Sequence, residues 1–157
     1  MKYVNEALSE QKKKQQSPGE DDKSILYNDL DTESSDIDKE YEINKQVFQK
    51  LDSLIRRDEL YLSADLSRED LVRMAHMNNT RFAKMIKENA GTNLSGYINE
   101  LRLNHAIHLL KEHPEYTLRA IAEASGINSM PTFHSLFKNK TGMTPSEFKK
   151  TQVDMKQ

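Results

Sequence analysis

His105 and His108 stand three residues apart, with His113 beyond them. On a helix that spacing places two imidazoles on one face, where they can share a metal ion. No carboxylate or third ligand completes the set, so ordinary packed or solvated histidines are expected, and no metal. The seven methionines, among them Met74, Met77 and Met85, read as packing residues rather than a cofactor box. There is no Gly-rich phosphate loop, no dinucleotide fingerprint and no supported Ser-His-acid arrangement. The chain has no cysteine, which excludes thiolate metal sites, cysteine nucleophiles and disulfides. No catalytic residue and no cofactor are expected, and the chain is not read as an enzyme. What remains is Lys87 and Lys138, which recur at equivalent places in an internal repeat. Cations so placed suit phosphates, which set register without carrying sequence information.

The repeat has an offset of 51: Phe82 matches Phe133, Ile86 matches Phe137, Lys87 matches Lys138, Gly91 matches Gly142, Ser95 matches Ser146 and Tyr97 matches Phe148. Upstream the offset falls to 50, pairing Leu71-Val72 with Ile121-Ala122, so the second copy carries one extra residue in its inter-helix turn. Each copy reads as a short helix, a polar turn, a second helix, a glycine stop and a further helix start. That is the layout of a helix-turn-helix, in which the first helix braces the second in the major groove of DNA. Two copies in one chain amount to an internal pseudo-dimer.

The elements that must position these residues are all helical. An apolar stripe of Ile43, Val47, Phe48, Leu51, Leu54 and Ile55 predicts a leading helix over 43–57. Ser67-Arg68-Glu69-Asp70 signals a helix start before Leu71, Val72, Met74 and Ala75. The next helix turns Phe82, Met85 and Ile86 inward and stops at Gly91. An amphipathic run over 94–112 predicts a linker helix of about 28 Å at 1.5 Å per residue, close to the roughly 34 Å between successive major grooves on one DNA face. Thr117 caps a short helix that stops at Gly126. Ser129-Met130-Pro131 opens another, and Thr144-Pro145-Ser146-Glu147 is a capping box with proline at the first helical position. The expected fold is all-α, with about seven helices: two helix-turn-helix subdomains, 67–91 and 117–150, joined by the linker helix.

Charge divides the chain in the same way. The total of −2 over 157 residues hides a net of −6 over residues 1–42 and +4 over residues 43–150. The first 42 residues hold few apolar side chains, without period, and bury too little to offset their ordering entropy; a disordered acidic tail or linker is expected there, followed by the domain at 43–150. No apolar run of about 18 residues is present to cross a membrane, and no signal peptide opens the chain, so a cytoplasmic location is expected.

The stretch from about Leu66 to Lys150 resembles the AraC-type (AraC/XylS) DNA-binding domain of bacterial transcription regulators. The residues that carry the resemblance are Gly91, Tyr97-Ile98, Arg102-Leu103, Ala106 and Leu109-Leu110. The second unit adds Ile121-Ala122, Gly126, Phe133, Phe137-Lys138, Gly142, Thr144-Pro145 and Phe148-Lys149. Ile127, Val72 and Phe148-Lys149 depart from the family's usual residues but keep their character. The resemblance implies that the front of each second helix faces base edges. In the first unit those positions are Thr80, Ala83 and Lys84, with Asn79 and Arg81 beside them. Lys84 suits guanine O6 or N7, and Thr80 a thymine methyl or base edge. In the second unit they are Pro131, His134 and Ser135, flanked by Thr132, a weaker reading surface. The resemblance implies a sequence-specific regulator whose partners are double-stranded DNA and RNA polymerase or an upstream sensor, with no small-molecule site evident. The alternative class is a helical protein-interaction adaptor, or a detached output domain of a larger sensor protein, because the segment 43–62 resembles the junction of family members that follow a transmembrane sensor.

Overall fold

The computed structural model describes the backbone of residues 22–157 and the side chains of residues 35–157. Every helix and strand assignment among them is helical. Seven α-helices follow one another: α1 (Asp22–Arg57), α2 (Arg68–Ala75), α3 (Asn79–Ala90), α4 (Leu94–Glu112), α5 (Leu118–Ala124), α6 (Met130–Thr141) and α7 (Pro145–Lys156), with one 3-10 turn, Leu60–Leu62, between α1 and α2. Internal contacts divide the chain into Met1–Glu42 and Ile43–Gln157, and the second part holds both helix-turn-helix units.

Helix starts follow side-chain chemistry. An extended residue precedes each of α2 to α7, and its side-chain oxygen accepts from a backbone N–H of the first turn: Ser67, Asn78, Asn93, Thr117, Ser129 and Thr144 in order. Such a cap stabilises a helix by about 1 kcal/mol. The capping boxes at Ser67–Asp70 and Thr144–Glu147 are both complete. Hydrogen bonds from the Ser67 hydroxyl hold the Asp70 carboxyl below its ordinary range, and the backbone N–H of Thr144 does the same for Glu147.

The repeat read in the sequence reappears in the backbone hydrogen bonds. The bonds Met77 N–H to Val72 O and His76 N–H to Arg73 O, at 3.4 and 3.2 Å, close the first helix-turn. Fifty residues later Ile127 N–H to Ala122 O and Gly126 N–H to Glu123 O, at 2.9 and 3.0 Å, close the second. Both are Schellman closures around a left-handed residue, His76 at φ 52° and Gly126 at φ 78°. The caps that follow, Asn78 and Ser129, are 51 apart, so the extra residue lies between Gly126 and Ser129. At the far ends Gly91 N–H donates to Lys87 O and Gly142 N–H to Lys138 O.

Two cores share α4. The first gathers Leu51 and Ile55 of α1, Leu71, Phe82, Met85 and Ile86, with Tyr97, Ile98 and Leu101 from the first half of α4. The second gathers Ile121, Ala122, Ile127, Phe133 and Phe137 with Leu103, Ala106 and Leu110 from its second half. Phe133, Phe137 and Phe148 stack edge to face at centroid distances of 5.6 and 5.3 Å, a geometry that adds to simple burial.

A strap closes the joint between the cores. Arg102 Nε donates to Tyr61 O at 2.7 Å and its Nη2 to Ser63 O at 2.9 Å. The Tyr61 and Leu62 carbonyls also lie 2.8 Å from where a Cβ would stand on Gly126, and Arg102 Nε 3.0 Å from it. Gly126 is therefore demanded twice, by its left-handed backbone and by the strap pressed against it.

Among the described residues α1 runs Asp22–Arg57, longer than the leading helix expected over 43–57; residues 1–21 of the expected tail lie outside the described residues. Extending a nucleated helix needs far less than starting one, and Asp36 and Lys39 pair along it at 3.4 Å. The described side chains over 35–42 are nearly all exposed, in keeping with how little they have to bury. The buried stripe of α1 also differs: Ile43 is 52% exposed, whereas Asn44 is fully buried.

The two left-handed turn residues should respond oppositely to substitution. In urea unfolding, Gly126→Ala is expected to lower stability by about 2–4 kcal/mol, from backbone strain plus the clash with the strap. His76→Gly is expected to raise it by about 0.5–1 kcal/mol by relieving αL strain in an exposed turn.

Candidate nucleic-acid interface

At 100° per residue, α3 presents Thr80, Ala83, Lys84 and Lys87 on one exposed arc, opposite the buried Phe82, Met85 and Ile86. Thr80, Lys84 and Lys87 are thus brought together. Lys84 Nζ lies 3.9 Å from Glu88 on the same face, an exposed pair of small net worth that a phosphate or base edge can displace.

Asn79 and Arg81, grouped with them by sequence, behave differently. Asn79 is exposed, but its Oδ1 and its carbonyl accept from Arg68 Nε and Nη2 at 3.4 and 3.2 Å, and the Arg68 guanidinium sits over the Phe82 ring at 5.9 Å. Arg81 is half-buried and turned inward, its Nε donating to Asn44 Oδ1 at 3.0 Å. The other end of that amide, Asn44 Nδ2, is buried without a partner, a cost of about 1–3 kcal/mol for an unsatisfied polar group.

On α6 the exposed residues include Pro131, Thr132, His134, Ser135 and Lys138, opposite Phe133 and Phe137. His134 stands edge-on to the Phe133 ring at 6.2 Å. The Thr132 hydroxyl donates to Ser129 Oγ at 3.0 Å, so it reinforces the helix start. Pro131, His134, Ser135 and Lys138 share an arc, with Thr132 at its edge. Lys140 is turned to Glu100 of α4.

Sequence reasoning missed two residues that hold the front of α3, Arg68 and Asn44. Arg68 follows the Ser67 cap, and nothing local distinguishes it from a solvated cation. Asn44 carried a readable signal, since with Phe48, Leu51 and Ile55 it continues the 3–4 spacing of the buried stripe where an apolar residue is the rule.

The histidine pair considered for a metal is split by the fold. His105 shares a hydrogen bond of 3.1 Å with the fully buried Ser125, the residue before Gly126, and lies edge-on to Tyr61 at 6.3 Å, while His108 is exposed. No cluster of three potential ligands occurs among the described residues, and none of their helices is long and apolar enough to cross a membrane.

A family model described as a helix-turn-helix domain matches residues 71–151, more than half of the chain. The chain belongs to the AraC-type helix-turn-helix family. Relatives of this AraC-type domain include the uncharacterized transcriptional regulatory protein YesN of Bacillus subtilis, 38% identical over 80 residues, which are 50% of this chain and 22% of the relative. The RCS-specific HTH-type transcriptional activator RclR of Escherichia coli is 31% identical over 81 residues, 52% of this chain and 28% of its own length. Among solved structures, a transcriptional regulator from Chromobacterium violaceum, described as an AraC-type DNA-binding domain-containing protein, superposes with a TM-score of 0.59 at 27% identity, covering 69% of this chain and 93% of that one. The chain spans less than a third of the length of these two curated relatives.

The His105–Ser125 contact at the second turn has a pH consequence. Burial pushes the His105 pKa below its ordinary 6.5; Glu59 opposes that shift and His108 adds to it. The unfolded chain takes up this proton near 6.5 while the folded chain resists it. The contribution is therefore intact above that pH and is lost as pH falls below it. Urea unfolding between about pH 7.5 and 5 should show stability falling toward acid, with a shallower fall in His105→Gln.

Proposed function

We propose that residues 67–150 bind double-stranded DNA in a sequence-specific way, as the output part of a transcription regulator, with α3 and α6 in successive major grooves. The observation that carries this reading is the backbone repeat. Two turns closed by the same pair of hydrogen bonds at an offset of 50 each present an exposed helix front, and the 19-residue α4, about 28 Å long, carries one unit on each half. A helical adaptor has no need of two such repeated fronts on one helix.

Within this reading Lys84 and Thr80 contact base edges in one half-site, and His134 contacts DNA in the other with Ser135 and Thr132 beside it. Lys87 and Lys138, at matching ends of the two helices, contact phosphates. Arg81 and Asn79 are the exceptions among the sequence candidates, because Asn44 engages the one and Arg68 the other. A cytoplasmic setting and a protein partner, RNA polymerase or an upstream sensor, complete the proposal and rest on the family resemblance.

Site selection with the purified chain, followed by gel-shift titration of the selected and scrambled duplexes across salt concentrations, tests it. Lys84→Ala is expected to cost about 1–3 kcal/mol on the selected duplex and to relax preference in one half-site. Lys138→Ala is expected to weaken both duplexes alike and to reduce the slope of log K against log salt by about 0.9. Unchanged binding in both variants would sink the assignment.

A further inference from the structure

We propose that Asn44 is a positioning residue for the DNA-reading front of α3, acting through Arg81, and that Arg81 holds the helix in place without touching DNA. The proposal rests on the DNA-binding reading above.

Asn44 has no exposed surface, and it takes a stripe position on α1 in line with Phe48, Leu51 and Ile55, the last two buried in the first core. Its Oδ1 accepts from Arg81 Nε at 3.0 Å, across 37 residues of chain. A guanidinium has no acceptor, so this bond sets which end of the amide faces Arg81 and leaves Nδ2 buried and unpartnered. Leucine would fill the same stripe position without an orphaned donor. What asparagine supplies and leucine cannot is the directional bond to Arg81.

The place of Arg81 gives that bond its effect. It is the third residue of α3, and its backbone N–H donates to Asn78 Oδ1 at 2.9 Å. The first turn of α3 is thus held through its main chain by the preceding loop and through a side chain by α1. Adjacent residues point about 100° apart around a helix, so anchoring Arg81 against α1 sets the rotation that aims Thr80 and Lys84. On the other flank Arg68 grips Asn79. With both flanks held, the front of α3 meets DNA in one rotational setting and binding need not select it, which favours discrimination between bases over general affinity.

The test uses the whole chain and a duplex obtained by site selection, compared with a scrambled duplex. Asn44→Leu is expected to retain the wild-type melting midpoint or raise it. Its preference for the selected duplex should fall about tenfold, the scale of one mismatched base pair, with little change on the scrambled duplex. Asn44→Asp, whose carboxylate accepts from Arg81, should restore most of that preference. Arg81→Ala should show the same loss as Asn44→Leu with an unchanged salt slope. The proposal is overturned if Arg81→Ala reduces the salt slope by about 0.9, the signature of a lost phosphate contact. It is equally overturned if Asn44→Leu keeps full preference, or weakens both duplexes in step with lost stability. A wild-type chain that enriches no duplex would overturn the DNA-binding reading itself, and this proposal with it.

Discussion

Arg102 lies at the point where one helix has to serve two cores. Leu101, on one side of it, belongs to the first core and Leu103, on the other, to the second. Units packed on the two halves of one helix can still shift against each other on its surface unless something off the helix ties them. The guanidinium does so by donating to Tyr61 O and Ser63 O, while the same strap presses on Gly126 of the second turn. Burial lowers the Arg102 pKa, yet from so high an ordinary value that it stays charged. A charge taken partly out of water needs strong partners, and two main-chain carbonyls at 2.7 and 2.9 Å supply them. The two units are thereby tied at one joint on α4.

Many of the domain's cations are already committed inside the fold. Arg68 is held on Asn79 and Phe82, Arg81 on Asn44, Arg102 on the strap and Lys140 on Glu100. Lys149 donates to Tyr116 O at 2.6 Å and Arg56 pairs with Asp52 at 2.9 Å. The sum of +4 over residues 43–150 is thus a poor guide to the charge that faces a ligand. Asp52 shows why some of these bonds sit so deep. It accepts from Arg56 and, at 2.6 Å, from the buried Tyr97 hydroxyl, and burial together with that bond raises the Tyr97 pKa strongly. A phenol placed in a core needs such an acceptor, so the charged pair on α1 also completes the first core.

What could be read from the sequence is what depends on local rules. Capping residues act over three positions and glycine stops over four, so the starts at Ser67, Thr117, Ser129 and Thr144 and the bounds of α4 were all legible. The inward residues Phe82, Met85, Ile86, Phe133 and Phe137 followed from period and repeat. What escaped depends on residues 37 to 41 apart in the chain, as in Arg81 with Asn44 and Arg102 with Tyr61. No spacing rule links such pairs, and a hydropathy stripe treats asparagine as a break. Hence Ile43 was placed in the stripe and Asn44 left out, although the true stripe keeps its 3–4 spacing straight through the polar residue. The Arg81–Asn44 bond is hidden from the sequence for the same reason, because the residue type suits DNA and only the distant partner shows where the side chain is engaged.

The duplication is closest in the backbone and loosest on the faces that read. The turn closures and glycine stops recur bond for bond and the cap positions recur in register, but α3 offers Thr80, Lys84 and Lys87 where α6 offers Pro131, Ser135 and Lys138. Only the terminal lysine is kept. A proline presents no donor, and Thr132 spends its hydroxyl on Ser129, which leaves α6 fewer groups able to make the paired hydrogen bonds that tell one base from another. The phosphate-contacting role assigned to Lys87 and Lys138 needs only charge at the right register, which explains why it survives duplication unchanged. Two fronts with equal scaffolding and unequal reading chemistry cannot recognise two equal half-sites. On the proposed DNA-binding reading, the preferred DNA is accordingly asymmetric, with its sequence concentrated under α3 and α6 holding the register.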